Sequence, residues 1–282
     1  MGKAMDRRTF LTGCVALGLA VPARAYSSTR LSVQVKGEGP DVILIPGLTN
    51  GRDVWDGTVK AVPRCRYHLI QVAGFAGDPA RGNAQGEIVA PLANEVARYI
   101  AEAGLKSPAI IGHSMGGIIA LMIAARFPGR VGKAMAIDIL PAPASGFGLA
   151  GMQVRPFADA LFKTFSGSAQ GRLFLDGLID GISGSGAQRS RSDAAVVARA
   201  THELAILDLT PDLPRIRAPF TIVYAVPDDA TDAAAIDRLY RTSYAGLKTV
   251  RLRRVPGSGH MVMYDQPQRF YAEVRAFLSP SS

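Results

Sequence analysis

Ile110-Ile111-Gly112-His113-Ser114-Met115-Gly116-Gly117-Ile118 runs from a short apolar strand pattern, through a serine between two glycines, into a helical pattern. Gly-x-Ser-x-Gly alone is a weak signal, and a structural glycine-rich turn is the plain alternative. Its setting between a buried strand and a helix is the one a nucleophile turn requires. A chain that leaves a strand and enters a helix so abruptly forces Ser114 into a strained backbone region and lifts its hydroxyl clear of the sheet. Side chains at positions 112 and 116 would strike neighbouring backbone, so glycine is needed at both. The helix beginning beside Ser114 aims free N–H groups and its positive end at the hydroxyl.

Outward from this turn, strand and helix patterns alternate. Leu31–Lys36, Val42–Ile45, Tyr67–Val72, Ala109–Ile111 and Ala134–Ile139 read as strands, several of them continuous apolar runs suited to burial on both faces. Val54–Ala61, Glu87–Ala103 and Gly116–Arg126 carry helical spacing, the second ending at Gly104 and the third before Pro128. Residues 140–215 break the pattern with helical stretches and a Gly/Ser-rich patch. Alternation then resumes with Phe220–Ala225, Ala233–Ala245, Val250–Val255 and Pro267–Leu278. Strands joined by helices predict an α/β fold: a mostly parallel sheet with helices on both faces. The expected core is therefore residues 26–139 and 216–282, with a helical cap or lid over 140–215.

A serine hydroxyl needs a base to become nucleophilic. Of four histidines, His113 adjoins Ser114 on a tight turn and is expected to pack beneath the site. His68 opens a strand and His202 lies in the insertion, both as structural or surface residues. His260, in Pro256-Gly257-Ser258-Gly259-His260-Met261, sits on a flexible loop after the last strand, which suits a general base. The base in turn needs a carboxylate to hold its tautomer. Asp228, following the strand Phe220–Ala225, is the preferred candidate, and Asp229 beside it the second. Asp138, near the end of Ala134–Ile139, is the third, since an acid there also reaches the histidine; otherwise it caps the start of the insertion. The backbone N–H of Met115, and of Leu48 in Ile45-Pro46-Gly47-Leu48-Thr49, are the expected oxyanion donors.

The order Ser114, Asp228, His260, the Pro-Gly loop, the nucleophile turn and the insertion together resemble the α/β-hydrolase superfamily, over about residues 31–278. The resemblance implies a serine hydrolase working through an acyl-enzyme, carboxylesterase-like, with no metal or organic cofactor and a small or medium-sized ester-like molecule as its partner. Thioesterase, amidase, lactonase and C–C hydrolase chemistry use the same residues, and a hydrolase-fold binding or sensor protein is the non-enzymatic alternative. Many members carry His-Gly where Pro46-Gly47 stands here, a tolerable change because the donor is backbone. Ser114 stands where dehalogenases and epoxide hydrolases of the superfamily carry Asp, which disfavours those chemistries. Met152, Phe157, Leu161 and Phe162 of the insertion are candidates to shape an acyl pocket or to pack onto the core.

Composition agrees. At 48% apolar and 20% charged, the 282 residues are rich enough for a large core, which excludes a disordered chain. No apolar run reaches the ~18–20 residues of a membrane-spanning helix, so stable membrane insertion is not expected. Two cysteines make no disulfide framework, and no Cys/His cluster has zinc spacing. The net charge of +9 is scattered, apart from Arg251, Arg253 and Arg254, which argues against a nucleic-acid partner. Nothing in the pattern addresses oligomeric state.

Residues 1–25 account for +3 of that charge, through Lys3, Arg7, Arg8 and Arg24 against Asp6. A charged start, an apolar stretch to Val21 and Pro22-Ala23-Arg24-Ala25 make a cleavable export signal. Arg7-Arg8 followed by Phe10-Leu11 resembles the bacterial twin-arginine type, with cleavage after Ala25 and a periplasmic or secreted product. Cys14 precedes the apolar stretch, which rejects a lipid-attachment box. Cleavage would leave Cys65 as the lone thiol, expected to be buried and inert.

Overall fold

A computed structural model describes residues 26–144 and 191–279. The first half supplies β1 (Leu31–Lys36), β2 (Asp41–Ile45), α1 (Asp56–Ala61), β3 (Arg66–Val72), α2 (Val89–Glu102), β4 (Ala109–His113), α3 (Met115–Arg126) and β5 (Lys133–Ile137). Then follow α4 (Ala194–Ile206), β6 (Phe220–Val226), α5 (Ala230–Ser243), β7 (Val250–Pro256), the short α6 (Val262–Asp265) and α7 (Pro267–Leu278). Every strand expected from the sequence forms. The helix expected over Val54–Ala61 is instead a 3₁₀ turn, Arg52–Trp55, running into α1.

The strands make one sheet of seven in the order β1-β3-β2-β4-β5-β6-β7. Only β1 is antiparallel to its neighbour; all other pairs are parallel. Alternation along the inner strands divides the apolar side chains between two layers. Ile43, Ile45, Ile110, Ala134, Ala136, Phe220 and Ile222 pack with α2 and α3, together with Val196, Val197 and Ala200 of α4 and Tyr240 of α5. Val42, Leu44, Ile111, Met135, Ile137 and Val223 pack with Trp55, Cys65 and the Phe270 and Val274 face of α7. Burial on both faces explains the continuous apolar runs of β2 and β4. Truncating one such side chain to alanine costs about 2–5 kcal/mol.

α3 has no polar face: Met115 to Ala124 are all buried between β4, α2 and the 3₁₀ turn Thr210–Arg215. The chain adds β3 on one side of β2 and then crosses to β4 on the other, so the strand order reverses between β2 and β4. In open α/β sheets that crevice, at the carboxyl ends of the strands, is where ligands bind. β4 ends there, and Ser114 follows it. The part of the insertion that is described is anchored to the core. Glu203 of α4 accepts from the Ile88 and Val89 N–H groups at 2.8 Å, capping the amino end of α2. Met152, Phe157, Leu161 and Phe162 lie outside the described residues, as do residues 1–25.

Candidate active site

Ser114 has φ 53° and ψ −119°, a conformation that costs of order 1–3 kcal/mol and persists only where the surroundings impose it. They do so here. The Ser114 N–H is held by the Ile137 carbonyl of β5 at 2.9 Å, while the Ser114 carbonyl already accepts from Gly117 and Ile118 of α3. A Cβ at position 112 would strike the Gly116 carbonyl, and one at 116 would strike the Ile45 carbonyl. The turn is thus wedged between the ends of β2, β4 and β5, and both glycines are required by close backbone approach.

The loop after β2 passes directly over the serine. A Cβ on Gly47 would lie 3.2 Å from Ser114 Cβ and 2.8 Å from His113 Nδ1. Pro46 and Gly47 are buried and Leu48 is half-buried. Leu48 and Met115 therefore lie on the two backbone segments that flank Ser114, one on the loop and one opening α3, where first-turn N–H groups have no intrahelical acceptor.

His113 is fully buried and its ring lies against His260, centroid to centroid 4.7 Å. Its Nε2 donates to the His260 carbonyl at 2.9 Å, which fixes the Nε2–H tautomer and leaves Nδ1 without a partner. Burial, reinforced by neighbouring His260, pushes the imidazole down to about 3, so it stays neutral and packs beneath the site as expected. The loop carrying His260 is thereby pinned to the residue preceding Ser114. His68 and His202 are elsewhere: His68 is buried between Asp41 and Tyr99, at 2.8 and 2.6 Å, and His202 is half-buried on α4.

The carboxylate is where the sequence expectation needs correcting. His260 Nδ1 faces Asp138 Oδ2 at 2.8 Å, not Asp228. β5 ends at Ile137, two residues before its apolar pattern does. Asp138 then takes φ 49° with its N–H on the Val223 carbonyl at 2.8 Å, which turns the side chain over the carboxyl edge of the sheet. Its second oxygen, Oδ1, accepts from the Ala225 N–H at 2.9 Å and from the Tyr240 hydroxyl at 3.0 Å. Asp228 is exposed, beyond the end of β6, with its carboxylate beside Gly257 rather than His260. Asp229 caps α5, accepting from the Thr231 and Asp232 N–H groups at 2.9 and 3.0 Å. The folded strand order favours Asp138: β5 lies next to β4, so an acid at its end lies closer to Ser114 than one after β6, an adjacency the residue pattern does not show. Tyr240 carried no signal, because it reads as one more apolar position of a helix.

Among the described residues no group of three or more His, Cys, Asp or Glu side chains is arranged to hold a metal ion, and no helix is long and apolar enough to cross a membrane. The arrangement is one that supplies a strained serine, an imidazole oriented by a carboxylate, and two backbone segments flanking the serine.

The chain as a whole is similar to known proteins. A pimeloyl-[acyl-carrier protein] methyl ester esterase of Aeromonas hydrophila is 26% identical over 260 residues, covering 88% of this chain and 99% of that protein. Among solved structures, an esterase of Thermogutta terrifontis superposes with a TM-score of 0.70 at 18% identity, covering 88% of this chain and 92% of that one. The enol-lactonase of Burkholderia xenovorans gives 0.68 at 15%, covering 89% and 96%. Residues 42–274 match the family described as the alpha/beta hydrolase family. On that match, and on a mostly parallel sheet flanked by helices, the chain belongs to the alpha/beta hydrolase family.

Proposed function

We propose that the protein is a serine hydrolase that cleaves a carboxylic ester of a small or medium-sized molecule by acyl transfer, with Ser114, His260 and Asp138 as its triad. The observation that carries this reading is the 2.8 Å pairing of His260 with Asp138 on the loop pinned beside the strained Ser114. A carboxylate on Nδ1 keeps the proton there and leaves the Nε2 lone pair free. Nε2 takes the hydroxyl proton as Ser114 Oγ attacks the carbonyl carbon. The oxyanion is received by the Leu48 and Met115 N–H groups, each such donor being worth about 10²–10³ in turnover. His260 then passes the proton to the departing alkoxide, and water, activated by the same imidazole, releases the acid. The esterase relatives support an ester over an amide, thioester or C–C bond.

The decisive experiment is hydrolysis of p-nitrophenyl butyrate. Ser114→Ala is expected to lower kcat by roughly 10⁴–10⁶-fold; a variant as active as the parent removes the mechanism. The segment 140–215 is proposed to act as a cap over the site, supported by its departure from the core just after β5, which ends at the carboxyl edge of the sheet beside Asp138. Export by the twin-arginine route is proposed from Arg7-Arg8 and the apolar stretch after them. Tyr26, the first residue after the proposed cleavage, is docked edge-on to Tyr99 and under the Arg98 guanidinium. Replacing Arg7 and Arg8 by Lys should retain the precursor in the cytoplasm, and undiminished export would refute this route.

A further inference from the structure

The two oxygens of Asp138 have different partners. Oδ2 faces His260, while Oδ1 receives the Ala225 N–H and the Tyr240 hydroxyl. Tyr240 lies on the inner face of α5, buried, with its ring nearly parallel to those of Tyr224 and Tyr244, at 4.2 and 6.3 Å. Both neighbours are themselves anchored: Tyr224 donates to Asp237 at 2.8 Å, and Tyr244 to the Ile139 carbonyl at 2.7 Å. The ring is therefore fixed, and its hydroxyl is aimed at a carboxylate.

We propose that Tyr240 is a positioning residue for the hydrolysis, locking the Asp138 carboxylate so that Oδ2 stays on His260 Nδ1 while drawing part of its charge toward Oδ1. This rests on the reading of Asp138 as the triad acid. Two donors on one oxygen oppose rotation of the carboxylate, and hydrogen bonds to an ionised group are the stronger kind. The charged and titratable groups around the ring are Asp138 after β5, Tyr224 on β6 and Tyr244 just after α5. Beyond Tyr224 lies Asp237, with Arg241 and Arg254 upon it at 3.9 and 3.3 Å. Burial, then the charge of Asp138, hold the Tyr240 phenol well above its ordinary value, so it remains a donor at any working pH.

Tyr240→Phe keeps the ring and removes only the hydroxyl. It should lower kcat by roughly 10- to 150-fold, the scale of one hydrogen bond to a charged group, with KM little changed. With less of its charge shared, Asp138 holds the imidazolium more tightly, so the acidic limb of the kcat/KM profile should move to higher pH. The far-downfield proton resonance of the His260–Asp138 hydrogen bond should move as well. Tyr244→Phe, which removes an equally buried hydroxyl bonded to a backbone carbonyl, should leave both readouts in place. The proposal is overturned if Tyr240→Phe leaves the resonance and the limb where they stand in the parent, or if Tyr244→Phe displaces them as far. The resonance is read without substrate, so an inactive parent would count against the ester reading while Tyr240 is still judged.

Discussion

Asp138 and Asp228 stand at the carboxyl ends of adjacent strands, and their surroundings decide between them. Asp138 is mostly shielded and accepts three hydrogen bonds, one of them from His260, whereas Asp228 is exposed and beside Gly257. Removing the charge at the first but not the second should disable the base. Asp138→Asn is expected to cut kcat by about 10⁴-fold, as loss of a triad carboxylate does, while Asp228→Asn stays within about 3-fold of the parent, as surface changes usually do. Steady-state kinetics on one ester separates the two. The turn at Ser114 and the loop that carries His260 were legible in the chain because glycine spacing announces both. Which aspartate faces His260 was not, because three of them satisfy the chemistry. The choice rests on one backbone angle, φ 49° at Asp138, that no residue pattern announces.

At the scale of elements, α5 carries Tyr240 near one end and depends on Asp229 at the other. Asp229 accepts from two first-turn N–H groups, and replacing such a cap by alanine typically costs about 1 kcal/mol. Asp229→Ala should lower the urea midpoint accordingly with kcat nearly unchanged; a collapse of turnover instead would assign Asp229 a role in the chemistry. Element positions were largely legible, since parallel strands buried on both faces and helices of 3.6-residue period leave distinct patterns. The end of β5 was not. Ile139 continues the apolar run and so looks like strand, yet the chain leaves the ladder at Ile137, and that early exit is what frees Asp138 to reach His260.

Across the whole molecule, the site is a junction of four strand ends closed underneath by a neutral histidine. His113 takes up a proton below about pH 6.5 when unfolded, but burial holds it off until about 3 in the fold. Between those values the unfolded chain binds more protons, so this contribution is complete above about pH 6.5 and is lost as pH falls toward 3. It amounts to up to a few kcal/mol at most. Denaturation followed from pH 7 to pH 4 should show a steep loss of stability in the parent and a flatter one in His113→Gln; equal slopes would mean that His113 is not the group responsible. The central claim is that one hydroxyl out of the whole chain is activated. Its most direct test is mass-spectrometric mapping of the protein after brief exposure to a fluorophosphonate: the account predicts a single adduct, on Ser114, and an unmodified Ser114, or an adduct on another serine in its place, would contradict it.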